Sequence, residues 1–190
     1  MSNSESVESE EVPIPSQHSK GATVERDGHS PFPVVGIGAS AGGLEAFTQL
    51  LSNLPADTGM AFVLVQHLDP RHESRLTDLL AKATRMPVLE AAHGLAVRPN
   101  HVYVIPPNAN LALALGILHI TPRGEGRAPH LPVDYLFRSL AEDQRAKAIG
   151  VVLSGTGSDG TLGLCEIKAV GGIAFAQEEL SAKHPGMPNS

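Results

Sequence analysis

The chain has 190 residues, of which 42% are hydrophobic, 18% charged and 4% aromatic, and its formal net charge is -6. This length suffices for one domain with a hydrophobic core and is too short for two large domains. The single cysteine, Cys165, excludes an intramolecular disulfide and a multi-cysteine metal site. Without a basic stripe, a signal peptide or an apolar run of the roughly 18 residues that span a bilayer, we expect a soluble cytoplasmic protein that binds no nucleic acid.

Residues 1–30 differ in composition from the rest of the chain. They hold six acidic and two basic residues and show no hydrophobic periodicity. Such a segment has too little apolar surface to offset the entropy of ordering it. We therefore expect a disordered, acidic, Ser-rich tail over 1–30, followed by one nearly neutral domain over 31–190.

The first half of this domain alternates strand patterns with helix patterns. A short apolar run enters the glycine-rich turn at 39–43, and a longer apolar run stops at Gln66 and His67. Continuous apolar runs are typical of strands covered on both faces, whereas apolar residues spaced by three and four indicate helices. The predicted elements are a strand over 33–38, a helix over 44–54, a strand over 60–65 and a helix over about 74–84.

The second half adds a β-hairpin to the same alternation. Two short apolar segments flank Gly116, which predicts a tight hairpin turn, and Pro132 suits the first turn of a helix. The predicted elements are a strand over 102–105, hairpin strands over 111–115 and 117–120, a helix from Pro132, a strand over 148–153, a helix over 161–170 and a strand over 172–176. The pattern predicts an α/β fold: a doubly wound, mainly parallel sheet with helices on both faces, Rossmann-like in three layers, with the hairpin inserted at one edge.

Ser40 is the first residue of chemical interest. The sequence Gly-Ala-Ser-Ala-Gly over 38–42 fits the strand-to-helix turn that exposes a nucleophilic serine, with free N–H groups at the helix start to stabilise an oxyanion. Gly36, Gly38 and Ala41 also fit the spacing of a dinucleotide-binding, phosphate-cradling turn, and such turns often serve packing alone. The turn by itself leaves these three interpretations open.

His67 and Asp159 follow two further buried strands. A histidine at a strand end can take the serine proton, although a structural role at the sheet rim is equally compatible with its position. Asp159 can orient and stabilise that histidine, or cap the helix that begins at Thr161, or do both. A nucleotide-binding fold would place an acid where His67 stands, and the order Ser, His, Asp differs from that of α/β-hydrolases, whose histidine would have to be His184.

Several separated segments together resemble the catalytic domain of the chemotaxis protein-glutamate methylesterases, the CheB type. The matching segments are VGIGASAGG (35–43), QH (66–67), HVYV (101–104), LPVD (131–134), LSGTGSDG (153–160) and GMP (186–188). The resemblance implies a Ser-His-Asp triad of Ser40, His67 and Asp159, with an oxyanion hole formed by the backbone N–H groups of Ala41 and Thr156. It implies no cofactor and no metal.

The same resemblance implies hydrolysis of glutamate 5-O-methyl esters on chemoreceptors to glutamate and methanol, with possible deamidation of receptor glutamines. The sequence is most similar to the version found in hybrid sensory proteins, which suggests methyltransferase and kinase modules of a phosphorelay as partners, besides the methylated receptor or another methylated signalling protein. The chain stops just after 186–188, where the family continues, so we expect a C-terminally truncated domain. The alternative is a non-catalytic sensory or regulatory binding module, or an inactive fragment.

Overall fold

A computed structural model describes residues 30–66, 76–124 and 130–190. The predicted tail lies outside these residues except for Ser30, which is buried next to Gly116 instead of belonging to an exposed segment. The described residues form nine strands and four α-helices. In chain order these are β1 (Val34–Ala39), α1 (Gly43–Asn53), β2 (Ala61–Gln66), α2 (Leu76–Leu80), β3 (Val88–Glu90), β4 (Leu95–Ala96), β5 (Val102–Val104), β6 (Ala109–Ala114), β7 (Ile117–Pro122), α3 (Pro132–Gln144), β8 (Ala148–Val152), α4 (Thr161–Ala169) and β9 (Ile173–Ala176).

The main sheet has six parallel strands in the order β3-β5-β2-β1-β8-β9. The strand β1 is central, with β2 hydrogen-bonded on one side and β8 on the other. All six of its residues are buried, because helices pack on both faces. The predicted doubly wound parallel sheet is confirmed, and the chain order reverses at β1, where such folds have their ligand crevice.

Each face of the sheet has its own hydrophobic core. Phe47 and Leu51 of α1, together with Leu80 of α2, cover one face. The other face is covered by α3 and α4, and the residues Leu136, Phe137 and Leu140 of α3 are fully buried, as their helical spacing predicts. The helix α3 also packs against β1, which positions its first turn at the carboxyl edge of the sheet.

The predicted hairpin is confirmed as β6 and β7, joined at Leu115 and Gly116 with φ angles of 52° and 70°. Two positive φ angles are typical of the tight turn that matches strand twist. The hairpin does not extend the main sheet at an edge. It joins β4 in a separate three-stranded sheet that packs on α3, because the alternate residues Ala109, Leu111 and Leu113 form one buried face.

Other expectations need correction at the level of single residues. The leucine spacing of the helix predicted over about 74–84 points Leu79 inward, but α2 ends at Leu80 and Leu79 is 44% exposed. The short strands β3 and β4 were not predicted, since two or three residues carry no readable alternation. The apolar neighbours of Cys165 in the helix predicted over 161–170 favour a core position, but Cys165 is exposed because α4 buries Gly163 and Ile167 instead. The side chain of Phe175 on β9 is also 56% exposed.

Gly38 allows α3 to approach β1 closely. A Cβ atom at this position would stand 2.2 Å from Cγ1 of Val133. We expect Gly38→Ala to lower the free energy of unfolding by about 1–3 kcal/mol through overpacking, measured by urea denaturation. The matched control is Gly124→Ala, where a Cβ atom would meet nothing within 4 Å. Equal effects of the two substitutions would contradict this account of the contact.

Candidate active site

The site lies where β1, β2 and β8 end side by side. Ser40 directly follows β1, Gln66 is the last residue of β2, and the loop over 153–160 follows β8. The backbone N–H of Ser40 donates to the carbonyl oxygen of Ser154 at 3.0 Å, so β1 and β8 remain paired beyond their last strand residues. The parallel sheet therefore brings together residues that are more than 110 positions apart in sequence.

Ser40 sits in a tight turn at the start of α1. Its carbonyl oxygen accepts a hydrogen bond from the N–H of Gly43 at 2.9 Å, and Gly42 precedes the helix with a φ of 75°. A residue with a side chain would be strained at this φ, so Gly42 permits the turn. Ser40 is half-buried, and no described residue hydrogen-bonds its hydroxyl group.

The two backbone groups expected to form an oxyanion hole belong to residues close to this serine in the chain or in the fold. Ala41 follows Ser40 in the chain, and Thr156 follows Gly155, where a Cβ atom would stand 3.0 Å from Cβ of Ser40. Within the described part of the chain, neither the Ala41 N–H nor the Thr156 N–H donates a hydrogen bond. Unpaired N–H groups beside a serine can stabilise a developing negative charge.

Asp159 is buried and holds the beginning of α3. Its carboxylate oxygens accept hydrogen bonds from the backbone N–H groups of Val133 at 3.0 Å and Asp134 at 2.9 Å. The interpretation of Asp159 as a cap for its own following helix is wrong, because the N-cap residue of α4 is Gly160. The carboxylate therefore joins the loop after β8 to the first turn of α3.

Asp134 is a second buried acid at this junction. Its Oδ1 atom accepts a hydrogen bond of 2.7 Å from the N–H of Gly163, the third residue of α4, and the N–H of Gly160 also faces the carboxyl group. Burial raises the pKa of Asp134, and the negative charge of Asp159 raises it further, against the opposing effects of these N–H groups and of Arg138. The LPVD motif at 131–134 includes Asp134, but sequence reasoning gave this acid no role, because one polar residue in an amphipathic helix has no distinctive pattern.

The end of β2 contributes Gln66, while the proposed base His67 lies outside the described residues. The Nε2 atom of Gln66 is 3.5 Å from the Ser40 carbonyl oxygen, and its Oε1 atom is buried without a hydrogen-bond partner among the residues that the structure describes. Gln66 also borders a cavity of about 180 Å³ beside the start of α3. This cavity is lined by Gln66, Ile105, Pro106, Pro107, Asn108, Ala109, Arg123, His130 and Pro132.

The structure adds a C-terminal segment to the site. Ser154 connects this segment to the serine turn, since its hydroxyl donates to the Ala41 carbonyl at 2.8 Å and accepts from the His184 N–H at 3.0 Å. The N–H of Gly155 donates to the His184 carbonyl, and Met187 packs on Gly155. In the sequence, only the GMP motif at 186–188 pointed to this segment, and it did not predict the contacts with the loop after β8.

Two classes of site are not found in the described part of the chain. Across residues 30–66, 76–124 and 130–190, no group of three or more His, Cys, Asp and Glu side chains could hold a metal ion. None of the helices in these ranges is long and apolar enough to cross a membrane.

The fold and the strand-end loops define a doubly wound α/β protein with a serine and a buried acid at the carboxyl edge of its sheet. The family model described as CheB methylesterase matches residues 35–190, and the chain belongs to this family. The crystal structure of the Thermotoga maritima CheB methylesterase catalytic domain superimposes with a TM-score of 0.76 and 30% sequence identity, covering 85% of this chain and 87% of that one.

Curated relatives agree with this assignment. The chain is 39% identical over 156 residues to "Protein-glutamate methylesterase/protein-glutamine glutaminase 1" of Burkholderia pseudomallei (strain 1710b), covering 80% of this chain and 43% of the relative. The protein of the same name from Geobacter metallireducens is 34% identical over 179 residues, covering 92% of this chain and 47% of the relative. The chain therefore spans less than half the length of these relatives.

The raised pKa of Asp134 makes a prediction about stability. A carboxyl group whose pKa is higher in the folded state contributes stability while it is protonated, and this contribution is lost as the pH rises through the folded-state pKa. Because Asn is neutral at every pH, the unfolding free energy of Asp134→Asn, relative to the original chain, should increase between about pH 4 and pH 7. Urea denaturation across this range measures the difference. Asp57→Asn, at an exposed position, controls for the loss of one negative charge, and a difference that falls with pH would contradict the prediction.

Proposed function

We propose that this chain is a protein-glutamate methylesterase, which hydrolyses glutamate 5-O-methyl esters on chemoreceptors to glutamate and methanol. The observation that carries the proposal is the contact between the Ser40 turn and the loop that ends in the buried Asp159, in a chain of the CheB methylesterase family. The names of the two relatives also include protein-glutamine glutaminase, which supports deamidation of receptor glutamines as a second reaction.

In the proposed acylation step, the Ser40 hydroxyl attacks the ester carbonyl carbon while His67 accepts the hydroxyl proton. The carbonyl oxygen becomes an oxyanion, for which the N–H groups of Ala41 and Thr156 are the proposed donors. His67 then gives the proton to the departing methoxide, which leaves as methanol. The Ser40 position supports this step, because Ser40 is half-buried in the turn before α1, and no hydrogen bond from the adjacent Ala41 N–H is found within the described ranges.

Asp159 is proposed to orient His67 and to stabilise the imidazolium that forms during both steps. Its support is its fixed position at the carboxyl edge of the sheet, since two backbone N–H groups of α3 hold the carboxylate. Water activated by His67 then hydrolyses the acyl-enzyme, which releases the glutamate carboxylate. Every step uses side chains, backbone groups and water, so the proposal includes no cofactor or metal.

The proposed substrate also defines the surroundings of the protein. We propose a cytoplasmic chain that meets a methylated chemoreceptor, or another methylated signalling protein, within a chemosensory phosphorelay with methyltransferase and kinase modules. The names of the relatives support a methylated protein as substrate. The small net charge of residues 31–190 supports recognition by surface shape more than by bulk charge.

Ser40→Ala tests the nucleophile. We expect methanol release from methylated chemoreceptor membranes to fall by about 10³-fold or more, because the covalent step is lost while binding remains. Ser52→Ala is the matched control, since this serine lies on the exposed side of α1 and bonds only the Gln49 carbonyl within its own helix. Full activity in Ser40→Ala would refute the esterase mechanism. No methanol release from the folded, unsubstituted chain would instead favour a binding module.

Coupling between Ser40 and His67 tests the triad separately. If the two residues act in one proton transfer, His67→Ala alone should reduce kcat about as much as Ser40→Ala, and the double variant should be no worse than either. Single-turnover methanol release with the three variants measures this. Independent, multiplying losses would contradict a shared step and assign His67 a different role.

A further inference from the structure

The helices α3 and α4 are capped by each other's acids. Val133 and Asp134 are the second and third residues of α3, and their N–H groups, which have no partner within the helix, bind the Asp159 carboxylate. Gly163 is the third residue of α4, and its N–H binds the Asp134 carboxylate. Each acid therefore replaces a cap that the partner helix lacks.

Neither helix has a cap of its own at this end. The N-cap residue of α3 is Leu131, which has no side-chain acceptor, and that of α4 is Gly160, which has no side chain. The two helices also touch directly, since a Cβ atom at Gly163 would stand 2.4 Å from Cβ of Phe137. Two contacts thus hold the loop that carries Asp159. The Asp159 carboxylate binds the start of α3, and the Asp134 carboxylate binds the backbone N–H of Gly163, four residues after Asp159.

The hydrogen bonds of this arrangement stabilise the two helix starts, but the burial of a second acid beside Asp159 opposes fold stability. Two buried acids share one junction, and the charge of Asp159 adds to the burial that disfavours ionised Asp134. Features that oppose stability concentrate at functional sites, where they fix a required geometry. The junction contains Asp159, the acid of the proposed triad, so a fixed geometry at this place would serve the proposed reaction.

We propose that Asp134 is a positioning residue of the esterase, which fixes the Asp159 carboxylate by binding the backbone of residues 160–163. The inference rests on the proposed function, in which Asp159 orients His67. Loss of the Asp134 carboxylate frees the first turn of α4, and the Asp159 carboxylate then no longer holds one position. The reaction slows while the surface that receives the substrate is unchanged.

The kinetic test compares three variants of the full chain in the methanol-release assay. Asp134→Ala should reduce kcat roughly 10- to 100-fold with little change in KM, because a misplaced orienting group affects the reaction more than binding. Asp134→Asn should recover part of this loss. Its amide oxygen can still accept from Gly163, but its NH₂ group cannot accept from Gly160.

Asp143→Ala is the matched control. Asp143 is a buried acid of the same helix, and its carboxylate binds the side chain of Gln144 and the N–H of Gly116 at the opposite end. Its loss should lower stability but leave kcat unchanged. Wild-type kcat in Asp134→Ala, or an equal loss of kcat in Asp143→Ala, would overturn the proposal.

Amide hydrogen exchange separates this inference from the esterase assignment. In Asp134→Ala, the amides of Gly160 and Gly163 should exchange at least tenfold faster, whereas Asp143→Ala should leave them unchanged. If the unsubstituted chain releases no methanol, the proposed function fails, and the exchange rates alone decide whether Asp134 positions the loop. Unchanged exchange at both glycines in Asp134→Ala would overturn the positioning role.

Discussion

The reciprocal capping of α3 and α4 is the interaction on which the rest of the site depends. Asp159 binds the first turn of α3, and Asp134 binds the first turn of α4. The four N–H groups that begin a helix need partners wherever water is excluded, and here both helices begin beside the buried residues Asp159 and Gly160. Satisfying them with side chains from the opposite helix joins the loop after β8 to α3. Although Asp159 lies in a loop, the packing of α3 against α4 fixes the position of its carboxylate.

The sheet determines the second half of the site. Because β1 lies between β2 and β8, the turn with Ser40 and the loop that begins at Ser154 are neighbours at one edge. The backbones of both segments have to come close to their neighbours at this edge. Gly155 leaves room for Met187 and for Ser40, and Gly38 leaves room for Val133. Close approach of backbones is therefore the local requirement, and glycine meets it because any Cβ atom would collide with a neighbour.

The C-terminal segment connects the turn that carries Ser40 to the loop after β8. Ser154 bonds both the Ala41 carbonyl and the His184 N–H, so the turn after β1, the loop after β8 and residues 184–187 share one hydrogen-bond network. Such networks rigidify a site when each member is satisfied. This network therefore holds the turn that carries Ser40 against the loop after β8.

The sequence by itself determined the parallel α/β fold. Continuous apolar runs indicate strands that are buried on both faces, and apolar residues at helical spacing indicate helices that are buried on one face. It also indicated that Ser40 and Asp159 follow the ends of strands, since glycines mark the tight turns there. The tertiary structure alone decided that Asp159 caps α3, that Asp134 faces it, and that Ser154 connects to His184. These contacts join residues 25 to 30 positions apart or brought together by the sheet, and no local pattern encodes them. The exposure of Cys165 was decided in the same way, because packing against α3 selects which face of α4 is buried.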